Sequence, residues 1–173
     1  MRHLLPLSAV VFGLFAVSAH AECAYPDSDR RDAPEWVCSL DNYEGADFLA
    51  HGDKSRLPSI SLQNRLAGKD AMIAVVANLL AYATLEIAAQ LPQEAELILP
   101  AADDLSRVAK FKGVTILEKT VSPQRHLYVL AGVKPDARDA LIAVAKKEVL
   151  NVNKKRLIAL LGQDGWKKLS ASK

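Results

Sequence analysis

Between residues 59 and 91 apolar side chains return at three- and four-residue steps. Leu62, Leu66, Met72 or Ile73, Val76, Leu79 or Leu80, Ala83 and Ile87 carry the pattern. That is the period of an α-helix sustained over many turns. Ser59 or Ser61 caps its start, and Pro92 ends it because proline has no N–H to continue the ladder. The middle is so rich in Ala, Val and Leu that burial on most of the circumference is expected. Gly68 weakens the early turns by about 1 kcal/mol relative to Ala.

Shorter patterns flank this helix. "ADFLAHG" alternates weakly and closes on Gly52, which predicts a strand over 47–51 and a turn through "DKSRLPS". Residues 92–112 are ambiguous: "EAELIL" reads as strand or loop, and "AADDLSRVAKFKG" as a short helix ending at Gly113. A hairpin follows, with strands over 114–121 and 125–133 around Ser122-Pro123-Gln124. In its first strand Val114, Ile116 and Glu118 share one face, and Thr115 and Leu117 the other. In its second, Leu127, Val129 and Ala131 oppose His126, Tyr128 and Leu130, so both faces are bulky and the strand belongs inside the sheet. Pro135 and Asp136 open a second helix. Its apolar stripe runs through Leu141 or Ile142, Ala145, Val149 and Val152, continues to Leu157, Leu160 and Leu161, and stops at Gly162. The order strand, long helix, strand, strand, helix predicts an α+β domain: a small, mainly antiparallel sheet packed by helices.

The N-terminus departs from that pattern. "MRHLLPLSAVVFGLFAVSAHA" has Arg2, an apolar run over 4–17, and small residues at Ala19 and Ala21. It reads as a secretory signal peptide cut between Ala21 and Glu22, the rival being an uncleaved anchor. No later segment is expected to span a membrane; residues 71–85 come closest, interrupted by Asn78 and Tyr82. Two cysteines follow, Cys23 and Cys38. A lipid-bearing cysteine needs small uncharged residues before it, and Glu22 stands directly before Cys23, so lipidation is not expected. An even pair in an exported chain predicts a Cys23–Cys38 disulfide. Closing a loop of about 15 residues contributes about 3 kcal/mol in the chain-entropy account. That tether suits "AYPDSDRRDAP", which is too polar to hold itself to a core. The spacing is nothing like Cys-x-x-Cys, which sets a redox-active pair aside, and His51 and His126 lack a surrounding ligand cluster for a metal. The expected organisation is a leader over 1–21, an irregular disulfide-closed arm over 22–45, one α+β domain over 46–162 and a polar tail over 163–173. Trp36 is expected to pin the arm to the core, with partner binding as its other role; Trp166 is the tail's one anchor.

Half of the chain is apolar and 6% is aromatic, so the core must be mostly aliphatic. Basic and acidic groups nearly balance overall, 22 against 20, but not along the chain. Residues 134–173 carry ten basic and four acidic groups, whereas 22–133 carry eleven and sixteen. Lys154, Lys155 and Arg156 form the densest cluster. Such a run is either a solvated helix face or an attraction to an anionic surface such as lipid head groups, an envelope polymer or an acidic partner. Nucleic acid is not an expected partner of an exported chain. There is no phosphate-cradling glycine loop, no His-Glu-x-x-His helix and no Gly-x-Ser-x-Gly elbow. His126 with Ser122 nearby is the one candidate for nucleophilic chemistry. Neither catalysis nor a cofactor is expected.

Four pieces in one order, "APEWV", "DFLAHG", "LQNRLAGKDAMIAVVANLLA" and "RHLYVLAGV", resemble the LPP-twenty lipoprotein family, which includes flagellar outer-membrane proteins of the FlgP type. The resemblance implies a compact sheet crossed by a long helix. It also implies a non-catalytic structural or interaction role in the bacterial envelope, periplasmic or outer-membrane-associated. The family's lipidated cysteine does not carry over, because Glu22 precedes Cys23. The partners expected are other envelope proteins or a second copy, with peripheral contact to an anionic envelope surface. The alternative is a periplasmic module that binds a ligand or anionic polymer through the basic C-terminal helix.

Overall fold

A strand with bulky apolar groups on both faces must be covered twice, and the fold does this for β5 (Leu127–Val133), all seven of whose residues are buried. The computed structural model describes residues 23–41, 43–92, 95–103 and 105–171; the expected leader and the cleavage site expected between Ala21 and Glu22 lie outside them. β5 is the centre of a three-stranded antiparallel sheet, between β3 (Asp47–Lys54) and β4 (Val114–Val121). One face carries Leu127, Val129, Ala131 and Val133 against α2 (Ile60–Ala88) and α4 (Pro135–Ala171). The other carries Tyr128 and Leu130 against Tyr25, Trp36 and Val37 of the N-terminal arm. The architecture is α+β, with antiparallel strands packed by helices.

The arm is more regular than its polar composition predicts. Ala24–Tyr25 (β1) and Ser28–Asp32 (β2) pair antiparallel, and Glu35–Cys38 (α1) makes one helical turn. The sulfurs of Cys23 and Cys38 stand at bonding distance, with their Cα atoms 5.9 Å apart. This closure holds Trp36 over the sheet, so short elements too small to persist alone are kept in place.

Ser59 caps α2, its Oγ accepting from the Leu62 N–H at 3.2 Å. The helix lies close to β3 because both surfaces are small: Gly52 faces Ala67 and Ala71. Its fully buried positions are Ala67, Ala71, Val75, Val76, Leu79, Leu80 and Ala83, and over residues 71–84 Asn78 alone is exposed, so the middle is covered on most of its circumference while the ends are not. Ile60 and Leu85 stand exposed, at 74% and 71%. By length and composition α2 is apolar enough to cross a membrane, contrary to the sequence reading. A core helix flanked by a sheet and a second helix acquires the same composition, and here α2 packs on all three central strands and α4. The polar residues within α2 have structural tasks. Gln63 donates to the Lys54 and Arg125 carbonyls, both at 2.9 Å, and Asn78 donates to the Leu49 carbonyl at 3.1 Å. Leu49 sits where the β3–β5 register shifts, so Asn78 satisfies a carbonyl that the ladder misses.

β3 runs on to Lys54, past the strand end predicted at His51. The hairpin's second strand begins at Leu127, and Arg125 adopts φ 65° in the loop before it. A bulge between Ile116 and Glu118 breaks the simple alternation of β4. Ile116 stays on the helix side, near Gly68, while Glu118 crosses to the arm side, where it accepts a hydrogen bond from the Tyr43 hydroxyl at 3.3 Å. The helix expected near residues 101–113 is reduced to Leu105–Val108 (α3).

The expected polar tail is also corrected. Gly162 breaks α4 with φ 71° and ψ 174°, but helix resumes and runs to Ala171. Trp166 and Leu169, three residues apart, then share a face, and Leu169 packs against the helical core.

Candidate functional site

His126 and Ser122 lie close in space but not as a nucleophile and its base. Ser122, 3% exposed, donates its hydroxyl to Asp27 Oδ2 at 2.5 Å. His126 uses its backbone N–H on Ser122 Oγ at 3.2 Å, and its ring Nε2 meets Asp53 on the neighbouring strand. The imidazole also stacks on Tyr128, 4.7 Å between centroids. Tyr128 in turn donates to Asp27 Oδ1 at 3.2 Å, and Tyr25 shares a hydrogen bond with Thr120. These groups form a clasp. Asp27, in the turn between β1 and β2, ties the arm to the far end of the hairpin, while the disulfide ties its base. The clasp was not legible in the sequence, since Asp27 lies 95 residues from Ser122 and 101 from Tyr128.

Burial, then the negative charge of Asp27, push the Tyr128 phenol up to about 12. The folded value lies above the ordinary 10 for tyrosine. The clasp's contribution is therefore complete below pH 10 and lost as pH rises toward 12. Titration of tyrosinate absorbance should show a phenol that ionises only near pH 12 and a loss of arm contacts over the same interval. All four tyrosines ionising together near pH 10 in the folded protein would contradict the clasp.

Trp36 is 5% exposed and packed with Tyr25, Val37, Tyr128 and Leu130. It anchors the arm. Little of its ring faces outward in this arrangement.

Lys154, Lys155 and Arg156 are all exposed on α4. Several charges on or beside this helix are matched. Arg138 pairs with Asp47 at 3.3 Å, Lys146 with Glu86 at 3.5 Å, and buried Glu148 with Lys110 at 2.8 Å and Arg107 at 3.6 Å. Among the described residues no carboxylate comes within ion-pair distance of Lys154, Lys155 or Arg156. Three consecutive exposed cations are thus left without an acidic partner among the described residues, as Lys147 is about two turns earlier.

Exposed apolar groups flank Arg156, whereas Lys154 and Lys155 point off to other sides of the helix. Val152, Arg156 and Leu160 follow at four-residue steps along one line of the helix, and Val152 and Leu160 are 38% and 45% exposed. Buried Asn153, beside this line, binds segment 95–100 edge-on. Its Oδ1 accepts from the Ile98 N–H at 2.7 Å and its Nδ2 donates to the Ile98 carbonyl at 2.8 Å. That pins Ile98 and Leu99, both exposed, next to the helix. Between the two elements lies a shallow depression of about 460 Å³ lined by Leu97, Leu157 and Leu160, with Arg156 and Glu96 as its two charged lining residues. The sequence marked the cations and, on the same helix, Val152 and Leu160, but not Ile98 and Leu99, which Asn153 brings to the helix.

Fold and site together define an α+β domain with a clasped arm on one face and a cationic, partly apolar surface at one end of its last long helix. The chain matches no family model and no curated protein.

Proposed function

We propose that this protein is an exported, non-catalytic interaction protein of the bacterial envelope, held peripherally at an anionic membrane surface by the 152–160 stretch of α4. The observation that carries this reading is the run of exposed, unpaired Lys154, Lys155 and Arg156, with Arg156 between exposed Val152 and Leu160 and facing segment 95–100. A surface that combines cations with exposed apolar side chains is what an interface-bound helix requires. The Cys23–Cys38 pair supports an oxidising compartment. The resemblance to the LPP-twenty family favours the periplasm or the outer membrane, with flagellar and other surface assemblies as the setting. A second copy is a further partner this reading allows, since β4 is an edge strand with Ile116 and Val121 exposed.

Each lysine or arginine near an anionic surface contributes about 1 kcal/mol, so three are worth about 100-fold in affinity. Flotation with phosphatidylglycerol vesicles should show binding that phosphatidylcholine vesicles do not support and that added salt weakens. The K154E/K155E/R156E variant, changed only at exposed positions, should keep its circular dichroism and lose about 100-fold in binding. Equal binding to both vesicle types, or a variant that binds like the parent, contradicts the reading.

A further inference from the structure

The break at Gly162 has a second consequence. Had α4 run on without it, Trp166 and Leu169 would have continued along the helix axis. Instead the last helical segment stands against α4 and the end of α2, and a groove of about 340 Å³ opens between them. Its apolar walls are Ile87, Ile142, Leu150, Trp166 and Leu169. Its size is at the small end of the range for ligand pockets, and it joins an apolar wall to a polar margin of Gln90, Asp139, Lys146, Lys147, Asn151 and Ser170.

The polar groups around it choose the ligand's charge. Lys146 and Lys147 both line the groove, and Asp139 is its one acidic lining residue. Asp139 already contacts Arg138 at 3.3 Å. Lys146 reaches Glu86 at 3.5 Å, and among the described residues Lys147 has no carboxylate within ion-pair distance. The balance is cationic, and Lys147 is available. Aliphatic walls suit a hydrocarbon chain, and Trp166 offers an apolar body with a polar edge where such a chain would meet water.

We propose that this groove binds a single-chain amphiphile with an anionic head, its chain against Ile87, Ile142 and Leu150 and its head at Lys147. Free fatty acids and lysophospholipids share this chemistry. The site is separate from the membrane-facing cations, and its occupant is one molecule rather than a surface.

Calorimetric titration with carboxylates from octanoate to dodecanoate, each below its aggregation concentration, tests the proposal. One molecule should bind per chain, with affinity rising about fourfold per added methylene. Lys147→Glu should weaken dodecanoate by about tenfold and favour dodecyltrimethylammonium instead. Trp166→Ala should weaken both. K154E/K155E/R156E should bind dodecanoate like the parent, which separates failure of the groove from failure of the surface reading. Tighter binding of lysophosphatidylglycerol than of dodecanoate would identify a membrane-derived ligand, and the reverse order a free fatty acid; either supports the site. No saturable binding, an affinity indifferent to chain length, or a Lys147→Glu variant that binds dodecanoate like the parent would overturn it. The last of these rests on an exposed side chain and does not depend on how Trp166→Ala folds.

Discussion

Gly52→Val should destabilise the domain by about 3 kcal/mol or more, the upper end of what overpacking costs. A Cβ at this position would stand 2.5 Å from the Ala67 carbonyl oxygen and 2.5 Å from the Ala71 nitrogen. Both are backbone atoms in the middle of a helix, so no side chain can turn aside. Either α2 lifts from β3 or the strand bows, and each response opens the core around Ala50, Val75 and Val129. Gly68→Ala is the control. Its Cβ would meet Ile116 Cδ1 at 3.0 Å, the movable tip of a side chain that is itself partly exposed. The helix also gains about 1 kcal/mol from replacing glycine. Urea unfolding should therefore show a large loss for Gly52→Val and little change for Gly68→Ala. Equal effects would mean that the close approach of α2 to β3 does not govern stability.

Replacing both cysteines, C23S/C38S, should cost about 3 kcal/mol, the value for a loop of this length; the sequence separation is 15. The loss should be local before it is global. The clasp at Asp27 remains, but the base of the arm is freed, and Trp36 is the side chain most directly exposed. Its fluorescence should move to longer wavelength at denaturant concentrations where the helical signal is still intact. Amides of β1, β2 and α1 should exchange faster than those of α2. A variant that loses arm and helices in one transition at the parent midpoint would show that the disulfide is not what holds the arm.

Much of the domain was legible because its elements are long and periodic. Residues 60–88 and the first part of α4 repeat an apolar stripe at helical spacing, and β5 declared its central place by being bulky on both faces. What was missed depends on contacts between distant residues or on single-residue breaks. The bulge at Leu117 moved Glu118 to the other side of the sheet, and nothing local in "VTILEKTV" marks it. The arm reads as polar coil because its order comes from the disulfide, from Asp27 and from Trp36 reaching Tyr128 and Leu130. Gly162 was read as the end of the helix, whereas it is a break after which helix resumes. The signal for resumption was present in Trp166 and Leu169, spaced three residues apart after a glycine, where an unstructured tail needs no such pairing. At the candidate surface the cations were visible in the sequence. Val152 and Leu160 were read as part of the helix's apolar stripe but stand partly exposed, and Ile98 and Leu99 were missed because Asn153 recruits segment 95–100 through its backbone.

The arm and the surface reading both presuppose that the chain matures where thiols oxidise. Intact mass of the protein recovered from fractionated cells, measured with and without reductant, tests this most directly. The account predicts a periplasmic or envelope-bound chain that begins at Glu22 and gains two hydrogens on reduction. A cytosolic chain that retains residues 1–21 and carries Cys23 and Cys38 as free thiols would contradict it.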